Sequence, residues 1–147
     1  MNTNVSEIEQ ITQKYKIDLN NLKYKDSIYV NILKDISNKF TKAYVIIKVE
    51  AINKKNISQN SNNKGKEEAI NKLYEDILEL GRKAFSERGY YLFLLHNLEI
   101  TYCHNMKDKN VENAFHSNSI TIINKFINST ISFEKNLIIL LDKLKSS

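Results

Sequence analysis

Apolar residues recur along much of this chain at steps of three and four, the spacing of one face of a helix. Val5, Ile8, Ile11 and Tyr15 predict a short helix over residues 5–16, with Thr3 or Asn4 available as its cap. A longer stripe through Tyr29, Ile32, Leu33, Ile36, Phe40, Tyr44, Ile47 and Ala51 predicts a helix over about 26–53, opening at Asp26 or Ser27. Within it Tyr44–Val49 reads YVIIKV, β-branched enough for a short buried strand, but the helical register runs through it and favours the helix. Ile70, Leu73, Ile77, Leu80, Ala84, Tyr91, Leu95 and Tyr102 carry a third stripe over about 67–106. Val111, Phe115, Ile120, Ile123, Ile127, Ile131, Leu141 and Leu144 carry a last one over about 110–145.

The interruptions set the architecture. Residues 54–66, KKNISQNSNNKGK, hold one apolar residue, Ile57, and predict a flexible polar loop. Glycine disfavours a helix interior, so Gly81 and Gly89 either sit within one helix at a cost of ~1 kcal/mol each or mark a break near Glu87–Gly89 that divides the third stripe in two. Tyr90–Leu95, YYLFLL, is apolar on every side and predicts a helix enclosed by others at the centre of the core. The β-branched and polar stretch Ser129–Phe133 marks a place for a kink. The fold expected is therefore all-α: one domain over 1–147, an antiparallel helical bundle of four main helices with a short N-terminal helix.

Composition supports that class. The 147 residues include no proline and only 3 glycines, too few for the frequent turns of a sandwich or barrel. Lys, Asn and Ile occur 20 times each, a bias toward AT-rich codons that accounts for a net charge of +5 without an acidic partner. Residues 1–66 carry +6 and residues 67–147 carry −1, so the basic character lies in the first half. Cys103 is the one cysteine, which excludes an intrachain disulfide. No apolar run reaches the ~18 residues of a membrane span and no leader-like segment follows Met1. The expectation is a cytoplasmic protein away from the membrane.

Candidate chemistry is sparse. Phosphate-loop, nucleophile-elbow and Cys-x-x-Cys signatures are missing. His96, Glu99 and Cys103 share a helical stripe with Arg88 at its edge, which suggests His96 as a general acid–base and Arg88 as an oxyanion stabiliser in a small ribonuclease-type enzyme. The catalytic candidates are Arg88, His96 and Glu99. Glu112 and His116, four apart, are the nearest approach to metal-ligand spacing, but the Glu-x-x-His motifs of di-metal bundles are not present, and no metal or cofactor is expected. Cys103 and His104, adjacent on a helix, point about 100° apart and cannot form a nucleophile–base pair. Lys14, Lys16, Lys23 and Lys25 form the candidate phosphate-contacting patch for nucleic acid. The tyrosines lie mostly on the apolar stripes and read as packing groups with the hydroxyl reaching water. The function these features favour is a non-catalytic interaction module that binds another protein or itself, ahead of a nucleic-acid-associated subunit and a small helical enzyme.

Overall fold

A computed structural model describes residues 28–60 and 62–147. Among them all regular structure is helical and no strand occurs. Helix α1 spans Ile28–Gln59, α2 spans Lys64–Tyr102 and α3 spans Lys109–Lys145, with one 3-10 turn at Cys103–Asn105 before α3. YVIIKV lies inside α1, as its register predicts. The predicted helix over 5–16 falls outside the described residues.

The described residues thus form three long helices where four main ones were expected, and both differences have physical causes. Gly89 does not break α2. A glycine costs a helix about 1 kcal/mol, and packing on both sides of this position, through Ala84 and Leu95, holds the same register. Nor is 54–66 a loop: α1 continues to Gln59 and α2 begins at Lys64, leaving 60–63 as the link. The polar residues there satisfy themselves without an apolar stripe. Buried Ser58 donates to the Lys55 carbonyl (2.8 Å), Lys54 Nζ donates to the Leu144 carbonyl, and Lys55 Nζ lies 4.6 Å above the Tyr74 ring. Asn63 then caps α2 by accepting from the Lys66 amide (3.1 Å), and Asp108 caps α3 through the Asn110 amide (2.9 Å). Helix α3 runs through Ser129–Phe133 as one element.

Two long-range contacts fix the directions. Tyr29 at the start of α1 meets His116 near the start of α3, while Lys54 near the end of α1 meets Leu144 near the end of α3. Helices α1 and α3 therefore run the same way, and α2 returns between them. Tyr44 packs edge-on against Phe85 (5.8 Å), and its ring fills the place a Cβ at Gly81 would take. The missing side chain at Gly81 is what lets α1 and α2 approach there.

The core comes in two parts along the bundle. One gathers Ile32, Leu33, Ile36, Leu95, Phe115, Ile123 and Phe126; the other gathers Phe40, Ile47, Ala51, Ile77, Leu137, Leu141 and Leu144. Between them sit buried Ser37 on α1 and buried Thr130 and Glu134 on α3. YYLFLL is not the centre of this core. Leu95 is buried, but Tyr90 and Phe93 are exposed, because α1 and α3 cover only one side of α2. No described helix is long and apolar enough to cross a membrane.

Candidate functional site

The polar set expected to carry chemistry does not converge. His96 Nδ1 lies 3.7 Å from Glu99 Oε2, an i, i+3 pair that tethers the exposed histidine to a half-buried carboxylate. Arg88 is two turns earlier and turns inward, lining a cavity of about 10 Å3 with Ser37, Phe40, Phe126, Ser129 and Thr130. Its Nε is buried with no hydrogen-bond partner among the described residues. A space of that size holds one water, and a water there would join Arg88 to the neighbouring hydroxyls. Arg88 therefore belongs to the polar layer that divides the two core clusters, whereas His96, two turns on and about 80° round α2, faces solvent. Cys103 sits in the 3-10 turn and donates to the Ile100 carbonyl (3.2 Å), half-buried and apart from Arg88. Lys14, Lys16, Lys23 and Lys25 lie outside the described residues.

A second polar group is better organised. The Tyr29 hydroxyl is 2.7 Å from His116 Nδ1, and His116 Nε2 is 3.8 Å from Glu112 Oε1. Burial holds the Tyr29 phenol far above its usual range, so it keeps its proton. The Glu112 carboxylate facing Nε2 favours the imidazole proton on that nitrogen, and in that tautomer Nδ1 accepts a hydrogen bond from the Tyr29 hydroxyl. Burial also pushes His116 below its ordinary value; Glu112 opposes that shift and Lys109 adds to it. The Glu112–His116 spacing was legible in the sequence. Tyr29 was not, since 87 residues separate it from His116. Tyr29 is almost wholly buried, and Phe115 stands edge-on to its ring at 5.7 Å. The group ties α1 to α3. No three His, Cys, Asp or Glu residues come together to hold a metal ion among the described residues.

The remaining feature is apolar. At about 100° per residue, Gly89, Tyr90, Phe93, Asn97 and Ile100 fall within about 100° of one another on α2, opposite buried Ala84 and Leu95. Tyr90 is 57% exposed, Phe93 60% and Ile100 68%. Phe85, whose ring meets Tyr44, and Val45 and Val49 on α1 are exposed as well. Isolated exposed apolar residues are ordinary, whereas a contiguous patch of several hundred Å2 marks an interaction site. Sequence reasoning placed Tyr90 and Phe93 inside the core, because an all-round apolar run signals enclosure without saying by what. No protein-family model matches the chain, and no match was found among curated proteins or among solved structures.

Proposed function

We propose that this chain is a non-catalytic helical interaction module, binding protein through the apolar surface its own three helices leave uncovered. The observation that carries this reading is the exposure of Tyr90, Phe93 and Ile100 on one stripe of α2. Aromatic and aliphatic anchors of this kind dominate binding energy at protein interfaces. Against an enzymatic reading stands the separation of Arg88 from His96, since a general base and its oxyanion partner must reach one reacting atom.

Lysine substitutions at Tyr90, Phe93 and Ile100 test the proposal. These side chains contribute little to the core, so the variants should keep the wild-type circular dichroism and melt within a few degrees of it. Binding should fall sharply, whether read as association in light scattering or as retention of protein on the immobilised chain. A triple variant that binds as the wild type does, or a wild type that binds neither itself nor any other protein, would overturn it.

A further inference from the structure

We infer that the occupant of this apolar face is a second copy of the chain, paired through α2 about Phe93; the inference rests on the interaction-module reading. Two observations point to a like partner. The first is charge. In a chain with 27% charged residues, the ten from Gly89 to Leu98, GYYLFLLHNL, include no Asp, Glu, Lys or Arg. The outward positions Ser86, Gly89, Tyr90, Phe93, His96, Asn97 and Ile100 are free of formal charge with histidine neutral. A two-fold pairing sets this stretch against itself, so like charges are not brought together over about four turns of helix. A basic or acidic partner would find nothing complementary there. Charge depletion with aromatic enrichment is also the composition of an interface centre.

The second observation is area. Tyr90, Phe93 and Ile100 leave on the order of 300 Å2 of apolar surface open along one stripe. A stable interface buries ~800 Å2 per partner, of which about 65% is apolar in homodimers, so this stripe supplies more than half of the apolar area that the centre of a symmetric dimer needs. Gly89 adds a geometric detail. A Cβ built there meets nothing within 4 Å, so, unlike Gly81, it has no packing reason inside the chain. A bare position beside Phe93 is a notch into which a partner's ring can settle.

The test is sedimentation of the full chain from about 1 to 200 µM, a range that detects micromolar dimers. The expected result is a mass twice the 17.2 kDa of the chain, approached as concentration rises. Phe93→Lys should weaken the dimer at least ~100-fold while remaining helical, and Phe93→Leu should retain it. Gly89→Gln separates association from folding: it should raise the melting temperature of the monomer yet weaken the dimer by filling the notch. A dimer unaffected by Phe93→Lys overturns the inference, as does a wild type that is monomeric throughout the range. In the monomeric case the interaction-module reading survives only if the wild type binds another protein that Phe93→Lys does not.

Discussion

Gly81 and Gly89 stand in one helix with opposite surroundings. A Cβ at Gly81 would collide with the Tyr44 ring, whereas a Cβ at Gly89 meets open space. Gly81→Ala should therefore destabilise the fold by about 1–3 kcal/mol, the usual penalty for overpacking. Gly89→Ala should stabilise the monomer by roughly 0.5–1 kcal/mol through helix propensity alone. Urea titrations of the two variants below the association range decide it; a loss of stability at Gly89 contradicts the open surroundings. His116 gives the pH dependence. Its folded value lies below the ordinary one, so the native state binds fewer protons there than the unfolded chain. Its contribution is complete above about pH 6.5 and is lost as pH falls through the lowered value. The wild type should lose stability as pH falls below about 6.5, with a smaller loss in His116→Gln. An NMR titration of the His116 ring should show a midpoint below that of a free histidine. Protonated Nδ1 would have to donate to Tyr29, whose own proton would then need another acceptor in buried surroundings.

At the scale of an element, the stripes from Tyr29 to Ala51, Ile70 to Tyr102 and Val111 to Leu144 made all three helices legible, since burial demands that spacing. The ends were less legible. KKNISQ continues α1 through Lys54 and Lys55, whose partners Leu144 and Tyr74 lie on other helices, and through Ser58, which donates to the Lys55 carbonyl of its own helix. A pattern of apolar positions cannot register a helix turn held by a lysine reaching a distant carbonyl. Gly89 misled in the other direction, because propensity is a local preference and the register around it is imposed by contacts on both sides. The starts of α2 and α3 depend on Asn63 and Asp108. Alanine at either cap should cost about 1 kcal/mol, seen as a lower urea midpoint with an unchanged slope. The candidate surface was visible in the sequence as YYLFLL, but its exposure was not. How many neighbours α2 has is a property of the assembly, and no residue within the segment encodes it.

Over the whole molecule, α1 extends about 48 Å, α2 about 58 Å and α3 about 55 Å, so the bundle is long and slender. Leu33 and Leu137 lie fully buried in different clusters, and alanine at either should cost about 2–5 kcal/mol. The layer of Ser37, Arg88 and Thr130 between those clusters is also what sequence reasoning could not assemble, because each member comes from a different helix. Its consequence is a seam in cooperativity. Continuous apolar packing transmits the loss of one contact to the next, but a polar layer interrupts that transmission. One half should therefore loosen while the other stays closed. Native-state hydrogen exchange should resolve the amides of each long helix into two sets with separate opening energies, divided near Ser37 and Thr130. A single opening energy along the full length of α1 would mean that the bundle fails as one body.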